Sequence, residues 1–417
     1  MNQTDRHPRT VVVGAGIIGT AIAYELQKRG HAVTLVDPNA PGSGASFGNM
    51  GSIAVTEFLP HSRPNLWLQT PGWLFNPRGP IRIPPRYAPQ LAPWLWRFFR
   101  AGLPKRLREV ESAGAALSSR ALADTRSLLA DIGRSDHLSQ NGCLTIYADD
   151  AEFASDRDRL RMFDRRGIRH ELLTEGDLHD LEPAIAPGVK RAVLLPDNRT
   201  LRDPFALVTR LAEAFVQRGG VVHRASVTGV DRGASITGVR LDTGEGLAAD
   251  TVVLAAGAVT GRLAGMLDEP IPLETERGYH TQIRAPGLTL NHSIICPAKA
   301  FMVSPTGGGI RIGGTVEMAG LDAPPDWRRA RITVKRARGI LPGLRVEDTS
   351  EWMGHRPSMP DTVPVISASA KVPGVFYATG HGHLGMTHGA TTAILMSDLI
   401  TGAEPEIDMT PYRIDRF

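Results

Sequence analysis

With 417 residues the chain exceeds what one hydrophobic core usually holds, so two parts with ample burial are expected. Lys and Arg outnumber Asp and Glu only by 47 to 43, with no basic run interleaved with aromatics, which argues against a nucleic-acid partner. Its two cysteines, Cys143 and Cys296, exclude a disulfide framework and a CxxC metal site, and no window approaches the roughly 18 apolar residues of a membrane span.

The N-terminal stretch MNQTDRHPRT lacks the apolar core of a secretory signal, so a cytoplasmic protein is expected. Val11, Val12 and Val13 then predict a short strand. Gly14-Ala15-Gly16-Ile17-Ile18-Gly19 follows as a complete G-x-G-x-x-G. The spacing of Ala21, Ile22 and Leu26 predicts a helix over Thr20 to Arg29, which Gly30 is placed to stop. A second strand, Ala32 to Val36, ends in Asp37. The first glycine permits a tight turn, the second lets backbone N–H groups reach a pyrophosphate, and the third lets the helix pack on the strand. The helix N-terminus favours phosphate charge. Asp37 suits a ribose diol and disfavours a 2′-phosphate, which leaves NAD and FAD as candidate ligands.

Gly42 to Ile53 is small, polar and glycine-rich where a nicotinamide-binding domain would begin another helix. Such a loop can run beside an extended cofactor, with Ser46, Asn49, Met50 and Gly51 against it, or it is an ordinary surface loop. The segment from His61 to Glu182 is proline-rich and then helical. Within it, Trp94-Leu95-Trp96-Arg97-Phe98-Phe99-Arg100, with Lys105, Arg106 and Arg108 beyond, reads either as a packed helix with a solvated basic flank or as an interfacial helix on anionic lipid. Phe205 to Val230 predicts strand, helix and strand, and Gly229 to Asp250 a small antiparallel meander. Ala249 to Gly257 predicts a strand that returns to the ligand with Ala256 and Gly257. Leu273 to Leu344 alternates like antiparallel strands (His280 to Arg284, Gly309 to Gly313) and ends in a helix over Asp326 to Leu341.

A strand from Gly374 to Ala378 leads into a second glycine loop, Thr379 to Gly389, and a helix from Ala390 to Ile400. The loop residues Gly380, Gly382, His383, Leu384, Gly385, Met386 and Thr387 are expected against the cofactor, where a helix N-terminus would face the electron-rich edge of a flavin. His381, His383 and His388 come without an accompanying carboxylate or cysteine, so no metal site is expected.

These segments together resemble the D-amino acid oxidase superfamily of FAD-dependent oxidoreductases, which includes glycine oxidase and sarcosine oxidase. The resemblance rests on VVVGAGIIG with Asp37, ASFGNMG, VLAAGA, RGYH at 277–280, GHRPSMPDTVPVI and ATGHGHLGMTHG, and looks closest to the bacterial D-amino acid dehydrogenases. It implies an α/β protein: a discontinuous Rossmann-like FAD-binding domain (9–60, 183–268, 349–417) and an α+β substrate domain with a mainly antiparallel sheet (61–182, 269–348). It implies that Val227 holds the adenine edge through its backbone. It implies that Arg356 clamps a substrate carboxylate. Tyr279, where a substrate-domain strand would point at the flavin, is expected to hydrogen-bond the same group, and one of His381 or His383, His383 foremost, to tune the amine or the flavin. The cysteine that attaches flavin in some members is absent from the C-terminal region, so FAD is expected to be non-covalent.

The expected activity is oxidative deamination of D-amino or cyclic imino acids, D-proline and hydroxy-D-proline included, by hydride transfer from Cα to flavin N5. Electrons would pass to a quinone or another carrier, with peripheral contact to the inner face of the cell membrane. The alternatives are an oxidase of the glycine or sarcosine oxidase type using O2, and a non-catalytic flavin-binding subunit of a larger assembly.

Overall fold

The computed structural model of the chain describes residues 7–60, 62 and 79–417. Among these, six strands form one sheet in the order Val365–Ala368, Val375–Thr379, Thr251–Leu254, Arg9–Val13, Ala32–Val36, Val221–His223. All neighbours are parallel except the Val365–Ala368 edge. Arg9–Val13 sits inside this sheet and is covered on both faces, which is why it reads as an unbroken valine run. Val12 packs with Ala21, Ile22 and Leu26 on one side, and Val11 and Val13 pack with Val252 and Leu254 on the other.

The first helix, Ile17–Lys28, starts three residues earlier than expected, because the glycine turn closes directly into it with Gly16 as N-cap. The last long helix, Gly385–Thr401, also starts early, at Gly385 rather than Ala390. Gly389 is helical because the two helices touch there: a Cβ would press on Ile17. The helices Pro104–Asp131 and Pro204–Gln217 bury their apolar faces in the same core. Tyr412 ties the C-terminal segment to this layer by donating its O–H to the Ala113 carbonyl at 2.7 Å.

The larger sheet is mainly antiparallel. Its path runs Thr349–Ser358, Glu274–Ile283, Gly309–Glu317, Phe301–Thr306, Ser293–Cys296, Cys143–Tyr147, Arg191–Leu195, Glu171–Thr174, with Ile81–Arg82 alongside Gly309–Glu317. The helix Arg328–Ala337, shorter than the expected Asp326 to Leu341, packs on it. Val227–Arg232, Ile236–Leu241 and Gly246–Ala248 form the separate antiparallel meander. Three elements lie elsewhere than the expected division of the chain put them. Arg191–Leu195 and Thr349–Ser358 belong to the larger sheet, while Pro104–Asp131 packs on the dinucleotide side. Apart from residue 62, the proline-rich stretch 61–78 lies outside the described residues.

Candidate active site

Residues from both large sheets line one cleft of about 1300 Å³. That is more than the ~300–1,000 Å³ of an ordinary small-molecule site and suits an extended ligand with a second molecule beside it.

At one end the glycine turn opens the α/β sheet. Gly14 has φ +107, and a Cβ there would run into the Ala255 carbonyl of the neighbouring strand. Gly19 sits against the Gly14 carbonyl and seats the helix, so it does not line the cleft; Gly14, Ala15, Gly16, Ile17 and Ile18 do. Asp37 accepts the Ala15 N–H at 2.8 Å and the Asn39 N–H at 2.8 Å, which fixes the carboxylate and leaves each oxygen a lone pair towards the cleft. Ser46 accepts the Ile17 N–H at 3.0 Å, so a side chain 29 residues away caps the helix and keeps its own O–H to donate. Beside Gly16 the space stays open apart from that hydroxyl. Val227, Ala256 and Gly257 complete this end.

The opposite wall is the pair of strands Glu274–Ile283 and Thr349–Ser358. Side chains alternate along a strand, so Glu276, Gly278 and His280 face one way, Arg277 and Tyr279 the other. The residues opposite them in register are Arg356, Gly354 and Trp352. His280 stacks on Trp352 with ring centroids 5.1 Å apart at 22°, and its Nδ1 is 3.0 Å from the Gly48 carbonyl. Burial first, then the Arg311 guanidinium, pushes the His280 pKa down to about 3, so the ring is neutral. The Trp352 indole occupies the space that a Cβ of Gly48 or Gly354 would fill. Arg311 donates to the Asn49 and Phe47 carbonyls and thereby fastens the 42–53 loop to the larger sheet. That loop is part of the cleft wall through Ser46, Asn49 and Met50. Gly51 lies behind it, where its N–H is held by Asn49 Oδ1 at 2.8 Å.

Arg356 lies across Gly278, where any Cβ would collide with its guanidinium. Among the described residues no hydrogen-bond partner meets that guanidinium. Burial lowers its pKa and Glu276 opposes the shift. Tyr279 differs from expectation. The residue borders the cleft, but its O–H donates to Glu317 Oε2 at 2.6 Å and accepts the Asp326 N–H at 3.0 Å. Its one donor is spent inside the sheet, beside the fully buried Arg277, whose Nη1 is 3.3 Å from Glu317. Glu276, Gly278, His280 and Trp352 are the residues that sequence reasoning left out; the alternation of ETERGYH carries the signal, with Glu276, Gly278 and His280 on the cleft face.

In the C-terminal loop Gly382, His383, Leu384, Gly385 and Met386 line the cleft, whereas Gly380 lies beside Met359. Thr387 points backwards, accepting the Ala54 N–H at 3.1 Å and donating to the Ser52 carbonyl. His381 is buried with Nε2 on Thr392 Oγ1 at 2.9 Å, and His388 is buried with Nε2 on Ser118 Oγ at 3.0 Å. Burial pushes both pKa values down to about 3. His383 is the exposed one. No group of three His, Cys, Asp or Glu side chains converges on a metal position among the described residues. Cys296 does border the cleft, although its place in the chain is far from the expected attachment position; burial raises its thiol pKa and holds it protonated.

Trp94, Leu95, Phe98 and Phe99 of the Ala88–Ala101 helix close the cleft from outside, Trp94 stacked on Phe98 at 5.3 Å. The inner face of the aromatic stretch is therefore cleft lining, while Trp96 is 64% and Leu103 50% exposed beside the exposed Arg97, Arg100, Lys105 and Arg108. No helix of the described residues is long and apolar enough to cross a membrane.

The open space at Gly16, the helix-capping Ser46 with its O–H still to donate, the fixed Asp37 and the slot between the two sheets fit FAD. Known proteins agree. The family model described as "FAD dependent oxidoreductase" (DAO) matches residues 9–399. A D-amino-acid oxidase of Bradyrhizobium diazoefficiens is 35% identical over 97% of this chain and 98% of its own. A D-amino acid dehydrogenase of Methylobacterium nodulans is 30% identical over 96% of each. The crystal structure of glycine oxidase from Geobacillus kaustophilus superposes with a TM-score of 0.77 at 22% identity, over 98% of this chain and 99% of that one.

Proposed function

This chain belongs to the DAO family of FAD-dependent oxidoreductases, and on that premise we propose that it oxidises D-amino or cyclic imino acids, D-proline and hydroxy-D-proline among them, and passes the electrons to a quinone or another carrier. The observation that carries the reading is Arg356: a guanidinium without a hydrogen-bond partner among the described residues, held on a cleft wall by the sheet beneath it. A planar fork that stays charged is the natural partner of a carboxylate. FAD held in this cleft would supply the two-electron acceptor for a hydride from the substrate Cα.

The protein's own part is to hold and orient. Arg356 takes the carboxylate, and the Trp94–Phe98 stack keeps water from the reacting end. Neutral His280, stacked on Trp352, forms a flat wall without adding charge. His383, the exposed one of the two neighbouring loop histidines, lines the cleft and meets the substrate amine or the flavin edge. Asp37, Ser46, Val227 and the two glycine loops hold the cofactor, non-covalently. The larger sheet forms the substrate side.

The names of the relatives support a D-configured amino acid, and they divide between oxidase and dehydrogenase. Exposed Trp96 and Leu103 among Arg97, Arg100, Lys105 and Arg108 support contact with an anionic membrane surface, where quinone is met. The test is anaerobic bleaching of the flavin band across D- and L-amino acids, D-proline and the hydroxy-D-prolines. Bleaching by D-amino or imino acids is expected. Bleaching by L-amino acids alone, or by none, would overturn the reading, the latter in favour of a non-catalytic flavin subunit.

A further inference from the structure

Arg356 and Glu276 stand directly opposite each other on neighbouring antiparallel strands, and both line the cleft. Opposite charges in that relation normally close into a pair. These do not: no nitrogen-to-oxygen distance between them falls within 4.0 Å. The cause lies one residue pair along. Gly278 leaves a seat on the same face, and the guanidinium leans over it, away from its cross-strand partner, while the Trp352 indole fills the space beside Gly354. Glu276 is thereby left without an ion pair or a side-chain hydrogen bond among the described residues. Its strand neighbour on that face, Glu274, is by contrast held by the Tyr87 O–H at 2.8 Å. The other carboxylate near this end of the cleft, Glu57, is answered by Arg159 at 3.4 Å. One wall of the cleft thus carries a guanidinium and a carboxylate, side by side and unjoined.

We propose that Glu276 accepts a hydrogen bond from the substrate nitrogen while Arg356 holds the substrate carboxylate, so that the two residues read the amine and the carboxylate of an α-amino acid together. The inference rests on the amino-acid reading above and adds a second recognition point to it. It assigns the substrate class more narrowly: the nitrogen must carry at least one N–H, as a primary amine or a ring secondary amine does. It also accounts for a carboxylate placed where an anionic substrate would otherwise be repelled.

The experiment uses FAD-loaded protein and ligand pairs that differ only in the nitrogen: D-proline with cyclopentanecarboxylate, and D-alanine with propionate. Half-saturation for flavin reduction by the amino acids is compared with equilibrium binding of the unreactive carboxylates, followed by flavin absorbance and calorimetry. In Glu276→Ala, which removes the acceptor, half-saturation for the amino acids should rise about ten-fold to a hundred-fold, the worth of a hydrogen bond to a charged group. The plain carboxylates should bind as before or tighter, because a neighbouring negative charge has gone. Equal weakening of both members of a pair would mean a merely structural role and overturn the proposal, as would unchanged half-saturation. Wild-type protein that binds the carboxylates but is reduced by neither amino acid would fail the parent reading instead.

Discussion

The guanidinium of Arg356 rests on the Cα of Gly278, a seat on the adjacent strand that exists only because position 278 has no side chain. Gly278→Ala should therefore displace the clamp without touching it chemically. Half-saturation by amino acid should rise while FAD content stays normal; an alanine variant indistinguishable from wild type would show that the seat does not matter.

Removing the clamp itself should cost more. Arg356→Ala deletes a charge-assisted pair worth about 2–5 kcal/mol, so flavin reduction at subsaturating substrate should slow by roughly 30-fold to several thousand-fold. Arg356→Lys should restore part of this, since an ammonium cannot present two parallel donors. Near-normal single-turnover reduction in the alanine variant would return Arg356 to a structural role.

Purified protein should be yellow and release intact FAD into the supernatant on acid precipitation. Cys296 is the thiol to watch, because it borders the cleft; burial keeps it protonated and poorly nucleophilic. Flavin that stays with the pellet, and leaves it in Cys296→Ser, would establish the opposite.

Three imidazoles, His280, His381 and His388, are buried with pKa values near 3, below the ordinary value of 6.5. Between those values the unfolded chain binds more protons than the folded one, so stability falls as pH falls. From pH 7.5 to pH 5.5 each should cost about 1.4 kcal/mol, and the three together about 4 kcal/mol. Thermal melts of the holoprotein across that interval should drop accordingly, and His388→Gln should remove about a third of the drop. A melting temperature flat over the interval would refute this.

Charge reversal at Arg97 and Arg100 should reduce sedimentation with anionic vesicles at low salt and lower quinone-linked turnover. Anaerobic flavin reduction should be unaffected, because neither arginine lines the cleft. Turnover in air equal to turnover with a dye, with stoichiometric peroxide, would mark O2 as the acceptor and leave Trp96 and Leu103 as ordinary surface.

The dinucleotide half was legible because its signals are local. Valines, glycines, helix and acid follow one another within Thr10 to Asp37, and each states its own backbone requirement. The wall formed by Glu276, His280 and Trp352 was harder to read for two reasons. Alternation says that Tyr279 and His280 face apart but not which of them faces the cleft; that is set by the Glu317 carboxylate on the next strand and the Asp326 N–H in the following loop, which together hold the tyrosine hydroxyl. The register also slips here, Tyr279 facing Thr315 and His280 facing Gly313, so that Gly314 bulges out at φ +146. The 42–53 loop was recognisable as a candidate cleft loop, yet nothing within it announces Arg311, which pins it from more than 260 positions away. Helix starts were read late at both glycine loops because glycine weakens the helical signal even where close packing, as at Gly389 on Ile17, requires it.

The strand order of the six-stranded sheet also constrains how the protein is made. Arg9–Val13 takes its neighbour from Thr251–Leu254, which in turn pairs with Val375–Thr379. During synthesis the earliest strand must wait for some 240 residues to leave the ribosome before one of its edges is covered, and for some 360 before the sheet is complete. Until then the nascent chain exposes a hydrophobic strand paired on one edge only, with Ala32–Val36, so its yield in cells should depend on chaperone capacity more steeply than on the stability of the finished fold.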